Sequence, residues 1–415
     1  MKISVIIPCY NCEKFIAETF DCLLGQTLKD IQIIVVNDGS KDNSGKIIDE
    51  YAKKNPNILP VHQENAGVSA ARNNGFTHAA GKYTIFLDGD DLIGGEDALE
   101  NIYNALEETN SDLAIFRVMR FGYGGEEYTA IVDKIAADRE IDWLDKRLLW
   151  NFLVSNKCYR TELLRESGVK FPPMRYSEDG AFFMEFIHTA KPKITGVFGA
   201  TMKYRRRAPE EGQSVTQCVS VELLRDFCKS YDSAYNSAKD APEDYKQELL
   251  YKNYFSLINE FYRLLWSGDN EALAFMGERS RFLLSKMDEE SLRKCRFTVK
   301  DMGEPVFDKA EIAEKPFVSV VAKDCTPEFI SSLYAQSMPL FELIAPEKSD
   351  LPDCENIRFS PAKPKGKITV KVSGKKALDS RFLKVVSILK KSRKFGFLPD
   401  FVILFGARIL LKIKK

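Results

Sequence analysis

Short apolar runs alternate with amphipathic stretches over the first 120 residues, and no other feature restricts the fold of this chain so strongly. The runs fall at Ile3 to Ile7, Ile31 to Val36, Ile58 to His62, Tyr83 to Leu87 and Leu113 to Phe116. They are too short for helices and are bounded by turn residues, so they read as strands. Helical patterns separate them. In the first, Phe15, Ile16, Phe20, Leu23 and Leu24 form one apolar stripe, and Asn11 stands ahead of it as a candidate cap. Strand and helix in alternation predict an α/β fold with a Rossmann-like, mostly parallel sheet and helices on both faces. In such sheets the ligand crevice lies beyond the carboxyl ends of the strands.

Polar segments cluster at those ends. Pro8-Cys9-Tyr10-Asn11 follows the first strand, Asn37-Asp38-Gly39-Ser40 ends the second, and Asp88-Gly89-Asp90-Asp91 follows the fourth. Three carboxylates within four residues repel one another unless a cation or solvent neutralises them, and hard oxygen ligands suit Mg²⁺ or Mn²⁺. The acidic segment therefore predicts a metal-dependent site. Asp91 reads instead as the N-cap of a helix carrying Ala98, Leu99, Ile102 and Leu106 on one face. Asn65-Ala66-Gly67 reads as a turn, and Ser69 to Ala80 as a helix whose Arg72 projects toward the crevice. Further on, Ser177-Glu178-Asp179 precedes the apolar Phe182-Phe183-Met184-Phe186, as an acidic helix start does.

Taken together, Val5 to Asn11, Val36 to Ser40, Asn65 to Gly75 and Phe86 to Asp91 resemble the family 2 glycosyltransferases, densely over residues 3 to 107 and more weakly to about Ser214. The resemblance implies a GT-A fold and transfer of a sugar from a nucleotide diphosphate donor, UDP in the family pattern, with inversion at the anomeric carbon. It implies that Pro8, Tyr10 and Asn11 line the base and ribose, and that Asp38 reads uracil. It places Arg72 near the diphosphate. Asp88 and Gly89 lie against the donor, and Asp90, with Asp88, holds Mn²⁺ or Mg²⁺. Asp179 becomes the general base that an inverting transfer needs opposite the leaving group. Plainer readings stand beside these: Asp-Gly-Ser is good turn chemistry, an Arg on a helix is commonly a solvated charge, and acids favour helix N-termini. Asn156-Lys157, Tyr204 to Arg207 and Gln213-Ser214 sit where such proteins carry acceptor-side or phosphate-facing groups, while Arg205 to Arg207 serve equally as a solvated strand end.

The signature of processive polymer synthases is missing, which favours addition of one sugar or a few. Two rival functions remain. One is an inactive glycosyltransferase-like scaffold that tethers a biosynthetic complex to a membrane. The other is a sugar nucleotidyltransferase, which needs a Gly-rich loop after the first strand, where this chain has no glycine until Gly25. Nine scattered cysteines suit a reducing compartment, and Cys9 and Cys12, without a second pair, read as packing. His62, His78 and His188 have no metal-ligand spacing.

The expected organisation is a GT-A domain over 1–215, a helical region over 216–299, a linker over 300–315, a degenerate strand-helix-strand repeat over 316–359 and a basic amphipathic tail over 360–415. The repeat rests on the likeness of Ser331 to Ile344 to Asp21 to Ile34, which chance similarity of two such units also explains. The net charge of zero hides an asymmetry, because the tail carries 16 Lys and Arg against Asp379 and Asp400. Phe382, Val385, Val386 and Leu389 share a helical face there. Basic amphipathic helices suit an anionic membrane surface, where lipid-linked acceptors reside. Packing on the acidic remainder of the chain and a dimer interface are the alternatives, and the apolar character argues against nucleic acid. The amino-terminal apolar run is too short for a signal peptide and no stretch of about 18 to 20 apolar residues occurs. The expected location is cytoplasmic, peripheral on the inner face of the cell membrane, and the expected partners are a nucleotide-sugar donor and a glycan or lipid-linked acceptor.

Overall fold

The computed structural model describes residues 1–123, 125–207, 220–264 and 270–295, together with four short strands beyond them. In chain order the first elements are β1 (Ile3–Cys9), α1 (Ile16–Leu24), β2 (Ile31–Asp38), α2 (Ser44–Lys54), β3 (Ile58–Gln63), α3 (Val68–Thr77) and β4 (Tyr83–Phe86). Then come β5 (Leu92–Gly94), α4 (Ala98–Thr109), β6 (Leu113–Gly122), β7 (Glu127–Tyr128) and α5 (Ala130–Ala136). A 3₁₀ turn at Lys146–Trp150 leads to β8 (Lys157–Arg160), α6 (Thr161–Ser167), α7 (Glu178–Ala190) and β9 (Ile194–Arg206). Helices α8 (Val221–Ser237), α9 (Glu243–Leu264), α10 (Asn270–Lys286) and α11 (Glu289–Cys295) follow. Two compact units emerge, Met1–Lys252 and Asn253–Lys415.

In the first unit, one mixed sheet runs β3-β2-β1-β4-β8-β6-β9-β5, with β7 beside β6. Its β3, β2, β1 and β4 are parallel, as the alternating pattern predicts. Between β4 and β6 lies β8, antiparallel to both. Every residue of β1 is buried, which explains its almost wholly apolar composition: a strand covered on both faces has no solvent side to make polar, and the one hydroxyl, of Ser4, donates to Gln32 Oε1 at 2.7 Å. Its side chains still alternate. Ile3, Val5 and Ile7 meet Phe20 and Leu23 of α1 and Leu99, Ile102 and Leu106 of α4 on one face, whereas Ile6 joins Ala71 of α3 and Phe182, Phe183 and Phe186 of α7 on the other. Gly75 lets α3 lie close on this second face, because a Cβ there would come within 2.5 Å of Ile6 Cγ2. That approach positions Arg72, one turn earlier.

Two expected caps are corrected. Helix α1 starts at Ile16 after Phe15, not behind Asn11. Asn11 adopts φ +52°, and its Oδ1 accepts the Lys41 N–H at 2.8 Å, so the side chain ties the ends of β1 and β2 together. Likewise Asp97, not Asp91, precedes α4. The short strand β5 intervenes, and Asp91 is buried beneath it.

Strands β10 (Val318–Ala322), β11 (Phe341–Ala345), β12 (Ile357–Phe359) and β13 (Ile368–Val372) form a separate parallel sheet in the order β12-β11-β10-β13. Here β10 lies between β11 and β13 as β1 lies between β2 and β4. The expected linker, residues 331–340 of the repeat, Gln213-Ser214 and the tail from residue 373 lie outside the described residues. Among the described residues no helix is long and apolar enough to cross a membrane.

Candidate active site

The acidic loop after β4 is held from two sides. Asp91 N–H donates to the Asp88 carbonyl at 3.0 Å, and the Thr19 hydroxyl of α1 lies 3.2 Å from the carbonyls of both Gly89 and Asp91. Gly89 lets the loop lie close, since a Cβ would sit 3.3 Å from the Pro8 carbonyl and 3.3 Å from Cys12 Sγ, tighter than ordinary van der Waals contact. Pro8 and the loop therefore pack as one surface. Tyr10 beside them is 48% exposed, and the Asn11 N–H donates to Ser40 Oγ at 3.1 Å, so the ends of β1 and β2 share one rim. Cys9 and Cys12 are buried free thiols in the core beneath.

Asp38, at the end of β2, is buried and already occupied. Its Oδ1 accepts from the Ala66 N–H and from Gln63 Nε2, each at 2.8 Å, and its Oδ2 from the Gly67 N–H at 2.9 Å. The carboxylate thus pins the turn that opens α3. A carboxylate offers about four acceptor positions, and one on Oδ2 takes no hydrogen bond from the described residues.

Arg72 on α3 is the hub. Its Nη2 donates to Asp88 Oδ1 at 2.7 Å and its Nη1 to Glu178 Oε1 at 2.6 Å, while the guanidinium lies over the Phe171 ring at 5.2 Å. One cation therefore joins β4 to the first turn of α7 across 106 residues of sequence on the Glu178 side. Its two carboxylates hold it firmly protonated, which overcomes burial. Asp179 follows Glu178 in that turn, and its Oδ1 accepts the Gly180 N–H at 2.7 Å. Burial, the Glu178 charge and the Asp88 charge push its carboxyl up to about 7, against the opposing pull of Arg72. A carboxylate with that proton affinity is poised to take a proton near neutral pH.

Asp90 is paired differently. Both Nε and Nη2 of Arg207 donate to its Oδ2, at 2.9 and 2.5 Å. Arg205 braces the same loop twice: its side-chain Nε donates to the Asp90 carbonyl and its backbone N–H to Asp91 Oδ1, each at 2.8 Å. Burial and the neighbouring Asp90 and Asp88 charges hold the Asp91 carboxyl well above the usual carboxylate range. Arg205 and Arg207 are two residues apart and so fall on one side of the β9 path. Arg206 points elsewhere, with its Nη2 on the Gly125 carbonyl at 2.8 Å. That period of two was the signal, present in the sequence, that separates the two arginines bound to the acidic loop from a solvated strand end. Lys157 is wholly buried, its Nζ taken by the carbonyls of Asn151 and Leu153 and by Asn156 Oδ1. It stabilises a loop and faces no crevice solvent.

No group of three His, Cys, Asp or Glu side chains is arranged for a metal among the described residues. The donors present still fit one. No hydrogen bond from another described residue reaches Asp90 Oδ1 or Asp88 Oδ2, both hard oxygens, and the Arg207 guanidinium already sits on Asp90 as a stand-in cation. Mg²⁺ in particular is commonly held by one or two carboxylates completed by substrate phosphates.

This sheet order, with carboxylates at the ends of β2 and β4 and an acidic helix start joined to the second of them through Arg72, is similar to the GT-A architecture of glycosyltransferases. The model of Glycosyl transferase family 2 matches residues 4–168. Glycosyltransferase GlyG of Streptococcus pneumoniae serotype 4 is 40% identical over 218 residues, covering 50% of this chain and 71% of that protein. Poly(ribitol-phosphate) beta-glucosyltransferase of Bacillus spizizenii is 34% identical over 196 residues, 46% of this chain and 30% of that one. Among solved structures, residues 1–349 of Staphylococcus aureus TarS in complex with UDP superpose with a TM-score of 0.52 at 21% identity, covering 74% of this chain and 99% of that one. The chain belongs to glycosyl transferase family 2. It spans only about a third of the length of the longer relatives it matches.

Proposed function

We propose that this chain transfers a sugar from a UDP-sugar to an acceptor hydroxyl, with inversion, in the assembly of a surface polysaccharide or glycolipid. The observation that carries it is Asp179, a carboxyl raised to about 7 and tied through Glu178 and Arg72 to the donor-side Asp88. Asp179 takes the acceptor proton as the acceptor oxygen bonds to the anomeric carbon and the bond to the β-phosphate oxygen breaks, releasing UDP. Asp38 reads the base through the acceptor position left on Oδ2, Tyr10 covers the base, and Pro8 and Asn11 line the ribose with Asp88. A divalent cation held by Asp90 and Asp88 supplies neutralisation of the leaving diphosphate when bound. UDP is favoured by the TarS complex and a surface polymer by the names of the relatives, including the poly(ribitol-phosphate) glucosyltransferase.

The pH dependence tests the role of Asp179. Below about pH 7 its carboxyl is protonated and cannot accept a proton, so turnover should rise about tenfold per pH unit up to about 7 and level off above it. UDP release measured from pH 5 to 9 at saturating donor checks this, and a profile flat through 7 points to a different base.

The parallel order β12-β11-β10 supports a degenerate copy of the first strand-helix-strand unit over 316–359, one whose sequence lacks Asp-Gly-Ser and Asp-x-Asp; β13, at 368–372, carries the same sheet into the segment expected to be tail. The 16 Lys and Arg of the tail support attachment to anionic membrane from the cytoplasmic side. Removing residues 378–415 should then abolish sedimentation with phosphatidylglycerol vesicles; undiminished sedimentation sinks the idea.

A further inference from the structure

Arg207 occupies a position that chemistry assigns to something else. Its guanidinium directs both Nε and Nη2 at a single oxygen, Oδ2 of Asp90, and rests over the Phe15 ring at 5.1 Å. Both partners are mostly buried, at 22% and 18% side-chain exposure, so the pair is screened far less than a surface ion pair. The loop does not depend on it. The Asp90 main chain is fixed by Arg205, and the turn by Thr19 and the Asp88 carbonyl. Strand β9 ends at Arg206, so Arg207 stands just beyond its ladder. The structure thus contains a fixed arginine, Arg205, and next to it one whose release would leave the loop in place.

We infer that Arg207 is an internal cation that competes with the divalent metal for Asp90 and moves to the donor's diphosphate when metal and nucleotide bind together. The inference rests on the proposed donor site and adds an exchange to it. A guanidinium and a divalent ion cannot share one carboxylate without repulsion at close range. The diphosphate resolves the conflict, because it brings oxygens that a guanidinium binds through two parallel N–H bonds. Metal alone, on the open Oδ1, loosens the Arg207 contact with Oδ2 of the same carboxylate without offering the guanidinium another partner, and so binds weakly. Metal with UDP gives Arg207 a new partner and binds tightly, so each ligand raises the affinity for the other by the same factor.

Mn²⁺ binding to the full chain, followed by electron paramagnetic resonance and calorimetry with and without UDP, tests this without any turnover. In Arg207→Met the affinity for Mn²⁺ alone should rise about tenfold, since a competing charge-assisted contact is gone. The factor by which UDP improves Mn²⁺ binding should shrink at the same time, and Arg207→Gln should behave alike, which guards against a fault in folding of one variant. Unchanged or weaker binding of Mn²⁺ alone in both variants, with wild-type coupling to UDP, overturns the exchange while the donor site stands. Failure of wild type and variants to bind Mn²⁺ even with UDP present overturns both. Asp90→Asn, which removes the contested carboxylate, should lose Mn²⁺ binding with or without Arg207.

Discussion

Asp179→Asn should lower the rate of sugar transfer by about 10³-fold while UDP binds within about twofold of wild type, because the proposed general base is lost and little else changes. Asparagine has nearly the same shape, and its side-chain oxygen can still accept the Gly180 N–H that Asp179 Oδ1 now receives at 2.7 Å. The Arg72 bridge runs through Glu178, so it survives the substitution. What disappears is the ability to take a proton. An amide nitrogen or oxygen has negligible basicity near pH 7, and the acceptor hydroxyl must then attack with its proton in place. Initial rates of UDP release with donor and acceptor, beside calorimetric titration with UDP, separate the two effects. A variant that keeps more than about a tenth of the activity puts the base elsewhere, since positioned proton transfer contributes at least about a hundredfold. Equal loss of UDP binding would show that Asp179 serves the donor instead.

The parallel half of the sheet was legible because burial on both faces leaves little ambiguity: β1 and β2 read as apolar runs interrupted only by Ser4 and Gln32, and lie where those runs fall. The residues at their ends were legible as an ordered set of motifs. What was not legible came from tertiary pairing. Strand β8 has only four residues and starts with Lys157, a residue that ordinarily marks solvent; its burial depends on three oxygens from residues 151, 153 and 156 that no periodicity reveals. Strand β5, of three residues, exists because β9 lies beside it. Asp91 and Asn11 carry ordinary cap chemistry, yet their side chains bond across to Arg205 and Lys41 from other parts of the chain. Glu178 is the most informative residue overlooked. In the sequence it is the neighbour of a candidate base, whereas in the fold it is the carboxylate through which Arg72 reaches α7.

That bridge sets the second large expectation: Arg72→Met should destabilise the first unit by about 3–5 kcal/mol, the usual result of removing one partner from a buried ion pair. Methionine preserves the bulk and the contact with Phe171, so the lost energy is that of orphaned charge. Glu178 keeps 11% side-chain exposure and would have no cation to offset its desolvation, whereas Asp88, at 38%, can recover water. For a domain of roughly this size such a change lowers the thermal midpoint by on the order of 10 °C. The charge balance at Asp179 should move too. Arg72 now pulls that carboxyl down, against burial, Glu178 and Asp88, so without it the proton affinity climbs above about 7. The rising limb of the pH–rate profile should therefore shift to higher pH in Arg72→Met. Arg72→Lys should recover part of the stability but not both contacts, because Nη1 and Nη2 serve different carboxylates and an ammonium has no fork to span them. Differential scanning calorimetry with the pH profile distinguishes this from loss of a merely donor-facing charge, which would weaken UDP binding and leave both the midpoint and the limb where they are.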